Sequence, residues 1–205
     1  DLYNRQGRPM TGRILSGPEY ITVFNGLTGE AMDTKPYIPE RGNLMDWGDN
    51  YANRSDRMLA AVGYLDGHHA STIFCRGYYT RTVLAAWDWD GKELRQHWVF
   101  DTNQPEWSAY AGQGNHNLRV ADVDGDGCDE ITYGSMAVDH DGQGLYNTGM
   151  GHGDAFHLMA FDPSTTALQV WDCHENRRDG SELRDAASGK VIFQIPSKSD
   201  VGRCM

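Results

Sequence analysis

The stretch Asp122-Val123-Asp124-Gly125-Asp126-Gly127-Cys128-Asp129-Glu130 places acidic residues at its first, third and fifth positions, with a glycine after the second and third of them. Hard cations such as calcium take several oxygen ligands that converge on one point. A tight loop with this spacing supplies them, and glycine allows the backbone to bend sharply. The predicted calcium ligands are four carboxylates and the main-chain carbonyl of the seventh residue: Asp122, Asp124, Asp126, Glu130 and Cys128.

The residues after this loop favour a β-hairpin over a helical EF-hand. An EF-hand loop requires Glu at its twelfth position, and that position is Tyr133 here. The segment Ile131-Thr132-Tyr133 is β-prone. The sequence therefore predicts a calcium loop that closes a β-hairpin, and the alternative is an acidic surface turn that binds nothing.

Length and composition describe one globular domain with a sizeable core. The chain has 205 residues, of which 39% are hydrophobic and 23% charged. The net charge of −11 argues against a nucleic-acid partner. No apolar run approaches the roughly 20 residues that span a bilayer, so no membrane partner is expected.

Cellular location is predicted from chemistry, because no targeting signal is visible. The chain opens Asp1-Leu2-Tyr3-Asn4, which suggests a mature form or an excised piece. Multiple calcium sites suggest an extracellular or periplasmic protein, since cytosolic calcium is scarce. The four cysteines form no CxxC pair, which argues against a zinc ribbon or redox dithiol. Disulfides stay open, and Cys75 and Cys173 are expected to be small buried thiols.

Short β-prone segments alternate with turn signals along the whole chain, so an all-β fold is expected. A strand–turn–strand unit recurs about every 40–50 residues, which is the scale of a propeller blade; a β-sandwich is the alternative. The glycine-rich stretch 134–153 is the least strand-like and is expected to shape a binding site. The candidate strands are Tyr20–Asn25, Met58–Leu65, Ser71–Tyr79, Thr82–Trp89, Gln96–Phe100, Asn117–Ala121, Glu130–Ser135, Phe156–Phe161, Leu168–Glu175, Glu182–Asp185 and Val191–Ile195.

Three short motifs place metal-ligand side chains among glycines or at a strand end. His116, His152, Asp154 and Glu175 are predicted to form a mixed nitrogen and carboxylate metal site. Imidazole with carboxylate ordinarily indicates zinc, whereas a carboxylate-dominated set with waters also accepts calcium. The alternative is that each histidine only caps a strand end or bonds a backbone carbonyl.

A second cluster, Cys75–Arg81, is rich in arginine and tyrosine. Arginines bind carboxylates through two hydrogen bonds, so Arg76, Tyr79 and Arg81 are predicted to bind a sugar chain, together with Asn115 of the first histidine motif. In a strand, Tyr79 and Arg81 would share one face and Arg76 the other, so half of the cluster is expected to be structural. The stretch Trp47–Arg57 is interpreted as a hydrogen-bonded loop.

Several of these motifs, in order, resemble rhamnogalacturonan lyases of polysaccharide lyase family 11. The resemblance covers nearly the whole chain and implies a calcium-stabilised, eight-bladed β-propeller, of which residues 1–205 would be about half, truncated at both ends. It also implies cleavage of rhamnose–galacturonate bonds in rhamnogalacturonan I by β-elimination. The matching runs are Trp47–Arg57, Cys75–Asp88, Ala111–Gly127, Ala137–Gly144, Gly149–Asp154, Leu183–Lys190 and Asp200–Arg203.

The resemblance also implies roles for individual residues. His116, His152, Asp154 and Glu175 would hold an active-site calcium, and Arg203 would be catalytic by acting near the substrate carboxylate. An electrostatic role suits Arg203 better than that of a base, because arginine has a pKa of about 12.5 or above. The family's catalytic lysine and tyrosine would lie further downstream, so this piece alone is expected to be inactive.

Two other functions remain open at this stage. A calcium propeller that binds glycans or proteins without chemistry fits the acidic loop equally well. A zinc hydrolase that uses the two histidines is the third interpretation. The remaining blades of the parent chain and rhamnogalacturonan I are the expected partners.

Overall fold

The computed structural model describes residues 13–204, so the chain's first residues and Met205 lie outside the described part. All regular structure in residues 13–204 is β, apart from short 3₁₀ helices at Leu44–Trp47 and Pro105–Tyr110. None of these helices is long and apolar enough to cross a membrane. The strands are β1 (Tyr20–Phe24), β2 (Ala31–Pro36), β3 (Met58–Gly63), β4 (Ser71–Arg76), β5 (Val83–Trp89), β6 (Leu94–Asp101), β7 (Arg119–Ala121), β8 (Glu130–Tyr133), β9 (Met136–Val138), β10 (Gly144–Asn147), β11 (Ala155–Met159), β12 (Gln169–Cys173), β13 (Ser181–Asp185) and β14 (Val191–Ile195).

The strands form antiparallel sheets in which sequence neighbours are also spatial neighbours. β1 and β2 pair as a two-stranded sheet, and three four-stranded sheets follow, made of β3–β6, β7–β10 and β11–β14. Short turns suffice for such antiparallel connections. The all-β expectation is therefore confirmed, and the observed architecture is a series of four-stranded meanders.

The acidic loop at residues 122–130, called the carboxylate loop below, closes a hairpin as predicted. It joins β7 to β8, and Ala121 pairs with Glu130 at the base of the turn. Gly125 and Gly127 have φ of 85° and 94°, which glycine adopts without a steric cost. The spacing therefore predicted the local backbone correctly.

Two strand predictions were wrong, each for a local reason. The glycine-rich stretch 134–153 contains β9 and β10, because its glycines lie at the turns and leave short apolar segments free to pair. Predicted strand Ser71–Tyr79 ends at Arg76. Gly77 turns the chain with φ of 89°, and a Cβ there would overlap the carbonyl of Arg81. Tyr79 and Arg81 therefore do not alternate along a strand.

The core lies between the second and third sheets and extends to both faces of β5. Leu84 and Ala86 pack into a large cluster with β8 and β9. Ala85 and Trp87 point the other way and pack against the β1–β2 hairpin. A strand covered on both faces needs a continuous apolar run, which explains the sequence VLAAW. Each fully buried large side chain contributes about 1.5–3 kcal/mol.

Candidate functional site

His116, His152 and Asp154 form a compact group, called the histidine cluster together with Glu175. The ligand atoms of the first three all lie within 4.8 Å of one another. His116 Nε2 is 3.1 Å from Asp154 Oδ1, and His152 Nε2 is 3.8 Å from the same oxygen. His152 Nε2 is also 3.7 Å from Glu175 Oε1. The structure thus brings together all four residues that the sequence grouped.

The orientation of His152 is fixed from behind by the backbone. Its Nδ1 lies 2.5 Å from the carbonyl oxygen of Gly114, so Nδ1 carries the proton and donates it to that oxygen. Nε2 then carries the lone pair, and it is buried without a hydrogen-bond partner. Burial lowers the pKa of His152, which keeps the imidazole neutral. A neutral imidazole with an inward lone pair is the form that binds a metal.

His116 has the same preference for the neutral form. Burial and the neighbouring His152 lower the pKa of His116, and the charge of Arg57 adds to this effect. Arg57 Nη1 lies 3.3 Å from His116 Nε2. The two rings of the cluster are close, with centroids 4.8 Å apart. Two neutral imidazoles and nearby carboxylates provide ligands for a divalent cation.

Main-chain contacts bring the distant segments of the cluster together. The Glu175 amide donates to the carbonyl of His152 at 3.1 Å. Gly153 fits between them because a Cβ there would overlap the carbonyl of Cys173. Glycine at this position is therefore required by close backbone packing.

Tyr79 joins the cluster from the turn between β4 and β5. Its hydroxyl donates to Glu175 Oε1 at 2.6 Å, and its ring centroid lies 4.0 Å from that of His152. Burial and the bond to Glu175 raise the pKa of Tyr79, so the phenol stays protonated. The structure places Tyr79 at the site, and its contact with substrate stays a prediction.

Arg54 and Arg57 are site residues that sequence reasoning missed. The guanidinium of Arg54 stacks over the ring of Tyr79 at 3.9 Å, and exposed Arg57 contacts His116. Both follow Asp49, whose carboxylate accepts the backbone N–H groups of Tyr51, Asn53 and Arg54. The stretch Trp47–Arg57 is thus the hydrogen-bonded loop that was expected, and it also presents two cations. Its density of polar and aromatic residues was the available signal.

Three predicted substrate-binding residues make internal contacts in the structure. Arg76 is fully buried and pairs with Glu19. The fork of Arg81 already holds Asp101, with bonds of 3.0 and 2.6 Å. Asn115 is fully buried and donates to Asp172 at 2.8 Å. These internal contacts leave fewer donors for an incoming sugar, and the substrate-binding role of each of the three residues stays a prediction.

Arg203 lies on the segment beside the cluster, but its side chain does not point to a cluster residue. Its Nη1 donates to the carbonyl of Gly202. A Cβ placed on Gly202 would lie 3.2 Å from Asp154 Oδ2, so the backbone of this segment borders the site. The catalytic role of Arg203 stays a prediction.

A fully buried charged network lies behind the cluster, and it was not predicted from the sequence. Arg184 contacts Asp172 at 3.3 Å and also pairs with Glu182. Glu182 bonds His174 at 2.8 Å. Burial alone would lower the pKa of His174, but the bond to Glu182 and the charge of Asp172 raise it. Arg184 also donates to the carbonyl of Gly134, which connects the last two sheets.

The carboxylate loop is internally hydrogen-bonded through Asp122, Asp124 and Asp126, which are also exposed to solvent. Asp122 accepts the amides of Gly125 and Gly127 at 2.7 and 3.1 Å. The ligand oxygens of Asp122, Asp124 and Glu130 lie within 4.8 Å of one another. Asp126 and Cys128 are brought together at the far end of the loop, where the Cys128 amide donates to Asp126 Oδ1. The role of each as a calcium ligand stays a prediction.

Glu130 is the loop residue whose carboxylate a bound cation would stabilise most. It is fully buried, and its Oε1 has no hydrogen-bond partner. Burial and the charges of Asp124 and Asp126 raise the pKa of Glu130 to about 7. A bound divalent cation would offset both effects, so the residues present fit the predicted ion.

Repeated four-stranded antiparallel sheets define the class as an all-β domain, and it carries a histidine–carboxylate cluster whose residues could hold a metal ion. A family model described as "Rhamnogalacturonan lyase family 11, C-terminal domain" matches residues 3–205. The chain belongs to this rhamnogalacturonan lyase family.

Relatives of the chain carry names that agree with the family. It is 59% identical over 207 residues to rhamnogalacturonan exolyase YesX of Bacillus subtilis, covering 100% of this chain and 33% of that protein. It is 52% identical over 204 residues to rhamnogalacturonan endolyase YesW of the same organism, covering 98% of the chain and 33% of YesW. The chain therefore spans about a third of the length of the curated relatives it matches.

A solved structure supports the same assignment. Bacillus licheniformis rhamnogalacturonan lyase PL11 superposes with a TM-score of 0.91 at 56% identity, over 99% of this chain and 34% of that one. The all-β arrangement of four-stranded sheets is thus shared with a lyase of this family.

Proposed function

We propose that the protein carrying this chain is a polysaccharide lyase that cleaves rhamnose–galacturonate bonds of rhamnogalacturonan I by β-elimination. The observation that carries the proposal is the histidine cluster, where His152 Nε2 is buried and unpartnered beside Asp154 and Glu175. A sheet that only supported its neighbours would not need this arrangement, because a buried polar atom without a partner costs about 1–3 kcal/mol.

The substrate's chemistry explains why cations belong here. A galacturonate unit carries an ionised carboxylate next to the carbon that loses its proton, and the elimination adds negative charge to that group. Arg57 is exposed next to His116, and Arg54 is held over Tyr79. Arg57 can pair with a uronate carboxylate in bidentate fashion, and Arg54, whose Nη1 already donates to the carbonyl of Gly48, adds positive charge nearby. The chain's net charge of −11 repels an anionic polysaccharide. The positive charges of Arg54 and Arg57 offset this repulsion at the site.

A small cavity of about 280 Å³ opens beside these residues. Arg57, Tyr78 and His116 are among its lining groups. A larger groove of about 580 Å³ lies between β1 and the faces of β4 and β5, but it is mainly apolar and contains none of the cluster residues. The smaller cavity therefore suits a charged sugar better.

His116, His152, Asp154 and Glu175 are proposed to hold a calcium ion. When bound, the cation stabilises the negative charge that develops on the substrate carboxylate. The chain's own contribution is to present neutral imidazole lone pairs and to keep Tyr79 bonded to Glu175. Two imidazoles also suit zinc, so metal identity is part of the test. The base that takes the proton is expected elsewhere in the parent protein, since Arg203 is a poor base.

The wider architecture is proposed to be a calcium-stabilised propeller. Three successive four-stranded meanders support this, because a blade has that form. Strand β14 leaves Ile192, Phe193 and Ile195 exposed, and a neighbouring blade of the parent chain would cover them. The carboxylate loop, which joins two strands of one sheet, would bind one calcium ion. If the loop requires calcium, an extracellular or periplasmic location is expected, because calcium is abundant there.

Product chemistry tests the proposed function directly. The intact protein carrying this chain is incubated with rhamnogalacturonan I in calcium and in EDTA, and ultraviolet absorbance and reducing ends are followed together. Elimination leaves a conjugated double bond, so both signals should rise together and both should fall in EDTA. Reducing ends without absorbance would replace the lyase with a hydrolase. Binding without product would indicate a glycan-binding module, and activity restored only by zinc would overturn the calcium assignment.

A further inference from the structure

The side chains of Cys173 and Cys204 are neighbours, although 30 residues separate them in the sequence. Each Sγ lies 3.3 Å from the same atom, the carbonyl oxygen of Ala155. Cys204 Sγ is also 3.6 Å from the carbonyl oxygen of Trp171. Two sulfur atoms that each lie 3.3 Å from one oxygen are near neighbours, so rotation of the side chains can bring them into contact.

Main-chain contacts hold both cysteines in this position. Cys173 is the last residue of β12 and pairs directly with Ala155 of β11. The carbonyl of Cys204 accepts a bond from His157 Nε2 at 3.0 Å, and the Val201 amide donates to the carbonyl of His174 at 3.2 Å. The segment 201–204 therefore lies alongside β12 before any covalent link exists.

The other two cysteines have different surroundings. Cys75 is fully buried, and its Sγ approaches the carbonyl of Gly77. Cys128 lies in the carboxylate loop, near Asp126 and His140. Only Cys173 and Cys204, among the cysteines of residues 13–204, share a contact atom.

We propose that Cys173 and Cys204 form a disulfide bond. In an oxidising compartment, one cysteine thiolate attacks a small-molecule disulfide such as oxidised glutathione, which forms a mixed disulfide and releases one glutathione thiolate. The second cysteine thiolate then attacks the bonded cysteine sulfur and releases the second glutathione. The two cysteines lose two electrons and two protons, and the glutathione disulfide gains them.

The bond would fix the segment that carries Arg203 to the strand that leads to the histidine cluster. Gly202 borders Asp154, and Cys173 precedes Glu175 by two residues. A covalent link between the two would hold the Arg203 backbone beside the cluster when the site is empty. The proposal concerns the covalent structure and holds whether or not the protein is a lyase.

Peptide mapping tests the proposal on the intact protein. The protein is exported to the bacterial periplasm, or refolded in a reduced and oxidised glutathione mixture, and its free thiols are alkylated under denaturing conditions. It is then digested without reductant by a protease that separates Cys128 from Cys173. We expect a linked peptide pair that contains Cys173 and Cys204 and disappears on reduction. Cys204→Ser should leave Cys173 alkylated, whereas Cys75→Ser should leave the linked pair intact.

A stability measurement gives an independent readout. The closed loop contains about 30 residues, so the intact oxidised protein should melt roughly 3 °C above the reduced protein. This shift should vanish in Cys204→Ser and persist in Cys75→Ser. Alkylation of both Cys173 and Cys204 after export and after refolding would overturn the proposal. A linkage of either cysteine to Cys128 would overturn it as well.

Discussion

The carboxylate loop and the histidine cluster both gather metal-type ligands, but they are built from very different lengths of chain. The loop takes all its ligands from nine consecutive residues between β7 and β8. The cluster takes His116, Asp154 and Glu175 from separate connections between strands. The carboxylate loop can form as soon as its hairpin forms. The histidine cluster forms only when the sheets pack together. The first is suited to stabilising the fold and the second to binding a substrate between surfaces.

Removing the buried guanidinium of Arg184 should cause the largest loss of stability. In Arg184→Met, Asp172 and Glu182 lose their partner inside the protein, which costs about 3–5 kcal/mol. Thermal and denaturant midpoints of the intact protein measure this loss. Arg178→Met is the matched control, because Arg178 is exposed and should change stability by less than about 0.5 kcal/mol. Equal stability of both variants would show that the network does not hold the sheets together.

The second prediction separates the two regions by activity. His152→Ala and Asp154→Ala in the intact protein should lower turnover by about 10²–10³-fold, because each removes a proposed ligand of the charge-stabilising cation. Asp124→Ala should leave turnover within a fewfold when assayed well below its melting temperature. The ultraviolet product assay makes the comparison. Full turnover in the two cluster variants would remove those residues from the site.

The third prediction concerns stabilisation by calcium. An ion that binds only the folded state adds about 2.7 kcal/mol at a hundredfold excess over its Kd. Calcium should therefore raise the melting temperature, and Asp124→Ala should lose part of that rise. Glu40→Ala, which changes an exposed carboxylate outside the loop, should keep all of it. Identical melting of the wild type in EDTA and in calcium would contradict the proposed calcium sites.

The fourth prediction is a pH dependence of the metal-free loop. The pKa of Glu130 rises from 4.5 to about 7 on folding, so the folded state binds more protons between these values. Glu130 therefore supports folding most below about pH 4.5, and this support declines as the pH rises and is lost above about 7. In EDTA the melting temperature should fall over that range. Glu130→Gln should flatten the slope, and an unchanged slope in this variant would assign it to other groups.

Features within one short segment were predicted from the sequence, whereas features that depend on contacts between distant segments were not. The carboxylate loop and its hairpin were predictable, because glycines and carboxylates at fixed spacing determine a turn within one segment. The positions of β9 and β10 were not, because short strands among glycines are stabilised by their sheet neighbours. The burial of Arg76 and Asn115 was not predictable either, since a polar side chain in the sequence gives no sign of whether it is buried.

The histidine cluster was predicted as a list of residues, and its surroundings were not. His152 needs the carbonyl of Gly114 to fix its tautomer, and Tyr79 reaches Glu175 only because Gly77 ends β4 early. Arg54 and Arg57 looked like part of a structural loop. These relations depend on contacts between segments far apart in the chain, which spacing alone does not encode.

The pairing of consecutive strands also bears on the order of folding. Each four-stranded sheet connects strands by short loops, and closing a short loop costs little chain entropy. Local sheets of this kind can form early, whereas contacts between sheets come later in folding. The histidine cluster, whose members come from different connections, can be complete only after the sheets have docked. A variant that slows docking would therefore lower the fraction of competent molecules while circular dichroism still reported native strand content.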